Sequence, residues 1–502
     1  MSSNNYDAIV VGGGSAGAVL ATRLTESLQR RVLLLEAGLV YPPMDYPQQI
    51  ADSNIMGANT GSDWGYLTEP GFIGHPIAAL RGKVLGGSSA VNGAVTVRAL
   101  PSDFARWAEH GLKGWSFDEV LPDYIKLEHA TGGDDKWHGR CGPLPIHQLS
   151  RDEITPMQRA FIDAAMTNGI PAAADFNGPS PEGVGPYPKN LVNGTRMNTG
   201  MAYLTDEVRS RPNLAIRGDT LVDRVLFDGM RTTGVQLDDG TRLQAGEVIL
   251  SAGVYGSAAV LLRSGIGPAP HLRAMGIPVL VDLPVGQRLQ DHPYYSNTYA
   301  ARPDRIGKQV PVVGAIAWVA SSKAGEGELD LHITATHLFD PAKSPTHVGF
   351  ELAVAMVRPG SIGSLTLASR DPNVAPRIDL NFLHRPEDRQ RMLEGVGLAR
   401  RIAATGPLSD LIEYELNPGG AATTEASVQQ SVLATVNTYD HPSSTAPMGA
   451  DDDPTAVVDR LGMVRGVDGL RVVDAAIFPD VPSTAINITV IMAAEHIARL
   501  AY

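Results

Sequence analysis

A mixed α/β fold, α+β when taken over the whole chain, is predicted, with one part wound around a parallel sheet and a second lobe built on an antiparallel sheet. Three observations predict it. A short apolar run near the start turns through glycines into a helix, the middle of the chain alternates with the period of strands, and the end returns as strand, acid and helix. At 502 residues the chain exceeds what a single hydrophobic core usually serves, so two lobes are expected. Hydrophobic residues at 43% and charged residues at 19% supply that core and exclude disorder or a fibre.

The run Tyr6-Asp7-Ala8-Ile9-Val10-Val11 suits a buried parallel strand, and Gly12-Gly13-Gly14-Ser15-Ala16-Gly17 turns it into a helix over Ala18 to Gln29. Each glycine has a task in such a turn. Gly12 permits the reversal, Gly14 lets backbone approach a pyrophosphate, and Gly17 lets helix and strand pack closely. Phosphates then meet the free N–H groups and positive dipole end of the helix. A second strand, Arg31 to Leu35, ends in Glu36, about 20 residues beyond the glycines, where a carboxylate accepts both ribose hydroxyls of an adenosine and disfavours a 2′-phosphate. Strand, spacing and acid together predict a Rossmann-type dinucleotide site; NAD and FAD both satisfy it.

Further along, Arg81 to Asn92 carries the pair Gly86-Gly87 and the hydroxyls Ser88-Ser89, a loop able to bring backbone N–H and O–H donors close to a ligand. Helical spacing covers Ser102 to His110 and Ser116 to Glu128, the latter opened by a capping-box-like Ser116-Phe117-Asp118-Glu119. His138 falls in a turn and reads as a loop histidine rather than a ligand. Strands are predicted at Asn213 to Arg217, Thr220 to Phe227, Thr233 to Leu237, Thr241 to Gln244 and Glu247 to Ser251, the last running through Ala252-Gly253 into a helix at Ser257 to Leu262. Alternation at Ala315 to Val319, Asp330 to Ala335, Phe350 to Val357 and Gly363 to Ala368 predicts the broad antiparallel sheet, with helices over Pro386 to Ala404 and Thr424 to Asn437 covering it.

The net charge of −13 offers no footprint for a phosphate backbone, so nucleic acid is excluded as a partner. The single Cys141 makes no internal disulfide and is too little for a structural zinc site; no metal is expected, and a reducing cytoplasm is the natural location. Ala8 to Ala21 lacks a basic flank and carries four glycines, which argues against a signal peptide, and no apolar stretch is long enough to span a bilayer.

Near the end, Gly469 to Pro479 is a strand closing on Asp474-Ala475, and Ser483 to Asn487 leads into a helix reaching about Leu500. A nucleotide fold whose terminus returns in this way resembles the FAD-binding half of flavoproteins. With these residues in hand the whole chain resembles the glucose-methanol-choline (GMC) oxidoreductase family. Gly82 to Asn92 is similar to its first signature, with Thr96 where an aromatic or Ala is usual. Gly253 to Gly267 is similar to the second, departing at Val254 and Ala258. Leu283-Pro284-Val285-Gly286, Leu289 and Asp291-His292 also match, as does His441 to Gly449, where Ser444 replaces the usual Gly.

The resemblance implies FAD held by Gly12, Gly14, Ser15, Ala16, Gly17, Glu36 and Ala37; by Gly82, Val84, Gly87, Ser88, Asn92, Gly93 and Val95; by Val222; by Ala252, Gly253, Asp474 and Ala475; and by Asn487 and Ile488. It implies a cofactor domain of residues 1–155, 206–295 and 435–502, and a substrate domain of residues 156–205 and 296–434. His441 and Asn487 take the positions of the catalytic pair: the imidazole removes a hydroxyl proton as hydride leaves for flavin N5, and the amide donates to the developing alkoxide. Some relatives attach FAD through a histidine where this chain has Val91, so FAD is expected to be non-covalent. Met356, Val357, Tyr439 and Asp440 are expected beside the reactive face, suiting a primary alcohol on an aromatic or heteroaromatic ring, with oxygen or another acceptor reoxidising the flavin. Choline is disfavoured because no aromatic cage is assignable. A lyase of the hydroxynitrile lyase type and a photodecarboxylase share the fold and stand as alternatives.

Overall fold

The computed structural model describes residues 5–502. Asn5–Val11 lies centrally in a seven-stranded sheet, parallel to Val32–Leu35 on one side and Arg242–Leu250 on the other, with Val10 opposite Leu34 and Ile249. Leu214–Arg217 extends the sheet in parallel beyond Val32–Leu35. All four residues of Val32–Leu35 are buried, as a parallel strand covered on both faces requires. Arg231–Leu237 and Val222–Asp228 add an antiparallel flank, and Leu470–Val472 pairs in parallel with the far half of Arg242–Leu250.

That long strand corrects the sequence reading at one point. Thr241 to Gln244 and Glu247 to Ser251 are a single strand, because one end pairs Arg231–Leu237 while the other pairs Asn5–Val11 and Leu470–Val472, and Gly246 interrupts neither ladder. The first helix is also shifted, spanning Ser15–Leu24. It begins at the glycine turn and ends where the Thr25 hydroxyl donates back to Ala21 O at 2.7 Å. The terminal helix Asn487–Ala501 packs on it, and Arg23 clasps the buried Glu495 through Nη2 to Oε1 at 2.7 Å.

The second sheet has seven strands and runs Ile412–Asn417, Pro293–Ala301, Gly349–Met356, Leu331–Thr336, Val313–Val319, Gly183–Pro186, with Asn437–Thr438 also on Pro293–Ala301. Every pairing is antiparallel. Helix Pro386–Ala403 covers one face, close enough that a Cβ on Gly395 would stand 2.6 Å from Val354 Cγ1. The predicted strand Gly363 to Ala368 belongs elsewhere: Ser364–Thr366 forms a separate hairpin with Arg377–Asp379. Ser116 opens helix Phe117–Leu127 with the expected capping box, its N–H donating to Glu119 Oε2 at 3.0 Å. His138 is in a loop but buried, with Nε2 2.8 Å from Asp175 and Nδ1 3.1 Å from Glu128. Among the described residues no helix is long and apolar enough to cross a membrane.

Candidate active site

A cavity of about 650 Å³ runs from the first glycine turn to the open face of the second sheet. At its nucleotide end Gly12 has φ +97°, and a Cβ on Gly17 would lie 1.8 Å from Gly12 O, so both positions demand glycine. Gly14 precedes the helix with no side chain capping it, leaving the first-turn N–H groups to a ligand. The loop of Gly82 to Ser88 closes over this turn. A Cβ on Gly87 would stand 2.7 Å from Gly14 Cα, and one on Gly82 would stand 2.3 Å from Gly87 O. Two glycine loops in backbone contact form a narrow cradle whose close backbone approach suits a pyrophosphate.

Glu36 stands beside it, buried, its Oε2 accepting from Gly13 N at 2.9 Å and its Oε1 from Gly38 N at 2.8 Å. Burial pushes its carboxyl up to about 7 against these bonds and the pull of Lys83. Asp474 is likewise buried and raised to about 6; it accepts from Gly253 N at 2.9 Å and Ser257 Oγ at 2.6 Å, and so ties the two chain segments that return to the cavity.

At the inner end His441 Nδ1 is 3.0 Å from His292 Nδ1, an arrangement in which one ring must donate and the other accept. Among the described residues its Nε2 has no hydrogen-bond partner, and His441 lines the cavity. Burial, reinforced by His292, Arg81 and His332, holds the His441 imidazole well below its ordinary 6.5, so it is neutral at pH 7. Asp291 fixes the loop behind it. Its Oδ1 accepts from His441 N at 2.8 Å and His292 N at 2.7 Å, and its Oδ2 from Thr438 Oγ1 at 2.5 Å. Asn487 is the first residue of the terminal helix and caps nothing; its Oδ1 accepts from Ser15 Oγ at 2.7 Å, while its buried Nδ2 has no partner among the described residues. An orphaned donor lining the cavity suits an acceptor brought in by a ligand.

Ser444 explains the family's usual glycine: it has φ +72° and is fully buried, its N–H donating to Ala475 O at 3.1 Å. Ser444→Gly removes left-handed strain and one Ser443 contact of 3.2 Å, and is expected to raise the unfolding free energy by about 1 kcal/mol in urea titration; a destabilised variant overturns the strain reading.

The cavity is lined by every residue expected at the cofactor save three, and by Tyr439 and Asp440. Gly17 acts in packing, as above. Val84 is buried in a small cluster with Tyr46 and Ile50, and Ile488 in the main core, because each points away from the cradle its neighbours form. Met356 and Val357 are also corrected. Strand alternation turns Met356 to the face that Leu352 and Val354 bury under helix Pro386–Ala403, leaving Glu351 and Ala353 on the cavity side, and Val357 lies past the strand end. Sequence reasoning missed Tyr187, Tyr294, His332 and Thr334, which complete the wall. Tyr439 and Tyr187 hydroxyls meet Thr334 Oγ1 at 2.9 and 2.8 Å, and the Tyr439 ring lies 4.8 Å from that of His441. Period-two spacing of His332 and Thr334 on the predicted strand Asp330 to Ala335 was the available signal.

A nucleotide cradle joined through one cavity to a neutral imidazole and an orphaned amide is the frame of a flavin-dependent oxidoreductase. GMC oxidoreductase family models match residues 6–294 and 359–494. The oxygen-dependent choline dehydrogenase of Vibrio vulnificus (strain YJ016) is 35% identical, covering 99% of this chain and 94% of its own. Pyridoxine 4-oxidase from Mesorbium loti superimposes with a TM-score of 0.91 at 33% identity, and an FAD-dependent oxidoreductase from Chaetomium thermophilum with 0.89 at 25%, each match covering 99% of both chains. The chain belongs to the GMC oxidoreductase family and is an FAD-dependent oxidoreductase acting on CH–OH groups.

Proposed function

We propose that the enzyme oxidises a primary alcohol on an aromatic or heteroaromatic ring to its aldehyde, with His441 as the base and Asn487 as the donor to the developing alkoxide. The neutral His441 with Nε2 free toward the cavity carries this reading. If the Nδ1–H of His441 is given to His292, the lone pair stands on Nε2, where it accepts the hydroxyl proton. The partnerless Asn487 Nδ2 then stabilises charge on the oxygen. Bound FAD supplies the hydride acceptor.

The tyrosines set the substrate. Tyr294 and Tyr439 are tilted at 45° with centroids 5.7 Å apart, and with Tyr187 they give ring-shaped apolar contact. These tyrosines are the aromatic residues that could not be assigned from the sequence, and they suit an ammonium head as well, so choline is the comparison substrate. Anaerobic dark bleaching of the flavin should be faster with a pyridinemethanol or benzyl alcohol than with choline. Faster bleaching by choline would reverse the substrate assignment, and none by any alcohol would favour a lyase or photodecarboxylase. Recolouring by oxygen, compared with an artificial acceptor, separates oxidase from dehydrogenase.

The same reading places non-covalent FAD against Val91, a cytoplasmic location, and the domain division at residues 155, 205, 295 and 434. Acid precipitation is expected to leave the yellow colour in the supernatant; colour retained in the pellet overturns non-covalent attachment.

A further inference from the structure

One side of the cavity wall falls between the two family-model matches, in residues 295–358. There the strands Leu331–Thr336 and Gly349–Met356 run antiparallel, and the residues of one face form three rungs, His332 with Ala355, Thr334 with Ala353 and Thr336 with Glu351, of which all but Ala355 line the cavity. The first rung is the inner one, since the His332 ring lies 6.2 Å from that of Tyr439, which abuts His441. The third lies about 13 Å further out, four residues along an extended strand. Ala353 keeps the floor low between them. A single ring seated against Tyr439 leaves the outer rung to whatever the ring carries.

Glu351 occupies that rung. One carboxylate oxygen accepts from Ser296 Oγ at 2.9 Å; among the described residues the other has no hydrogen-bond partner, and no ion pair reaches Glu351. Glu351, Tyr294 and Leu338 also line a second hollow of about 410 Å³, and Leu338 is 50% exposed, so the carboxyl stands where the reactive cavity meets an outer chamber. Burial pushes Glu351 up to about 7, even with Lys343 lowering it. A carboxylate so placed gains most from a cation that enters with the substrate.

We infer that Glu351 is a specificity-determining residue which receives a protonated amine carried on the far end of the ring alcohol. This rests on the alcohol-oxidation reading above. The test compares 4-(2-aminoethyl)benzyl alcohol with the uncharged 4-propylbenzyl alcohol at about pH 8, where the amine is charged. The wild-type enzyme should show a KM at least about tenfold lower for the amine. Glu351→Gln keeps an acceptor for Ser296 and should bring the two KM values within about twofold while kcat for the neutral alcohol stays unchanged. Glu351→Asp, with charge retained, should keep the amine preference. No preference in the wild type, or one that survives in Glu351→Gln, overturns the inference. Failure of either alcohol to bleach the wild-type flavin instead counts against alcohol oxidation itself.

Discussion

His441→Ala should retain FAD yet slow anaerobic flavin reduction by alcohol about 10²–10⁴-fold, the usual contribution of a positioned general base. Retention is expected because the His441 loop is fixed through its backbone: Asp291 accepts from His441 N, a bond that alanine keeps. The lost group is the partnerless Nε2. Stopped-flow reduction at the wild-type rate would remove His441 from the role of base, whereas a flavin-free variant would move it to cofactor binding.

The pH profile supplies a second reading of the same group. The native imidazole binds its proton below the ordinary 6.5, so the base stays free throughout neutrality and the acid limb of kcat/KM lies below pH 6.5. Stability has the matching sign. A histidine kept neutral in the native state contributes fully above pH 6.5 and loses that contribution as the pH falls and the unfolded chain takes up the proton.

Much of this was legible because some constraints are local. Gly12, Gly14, Gly17 and Glu36 belong to a strand, turn and strand closed by neighbouring residues, so spacing alone places them. His441 and Asn487 were reached through resemblance rather than through periodicity. What stayed hidden was relational. Met356 and Glu351 share one strand, and which of them faces substrate depends on which face helix Pro386–Ala403 covers, a choice made by a segment about thirty residues on. The pairing of His292 with His441 joins positions 149 apart, and the Asp291 clamp joins the same two distant segments through Thr438. The Ser444 substitution was visible as a departure, but its cost became readable only with its positive φ.

Glu36→Leu is expected to yield a protein that purifies without flavin and unfolds about 2–5 kcal/mol more easily, since it orphans the buried N–H groups of Gly13 and Gly38. Leucine also removes the carboxylate expected to accept from the ribose. Loss of flavin alone could follow from any damage to the cradle, so the discriminating measurement is the pH dependence of stability in flavin-free protein. Native Glu36 has its pKa raised from 4.5 to about 7, which means that its contribution is present below pH 4.5 and is lost as pH rises through 7. Between those values the wild-type apoprotein should therefore lose stability that Glu36→Leu, having no group to titrate, does not lose. Parallel curves for the two proteins across that window would show that Glu36 is solvated rather than held dry against the two amides. Diverging curves, with flavin absent from the variant alone, tie the buried carboxylate to both the turn that it closes and the nucleotide that it awaits.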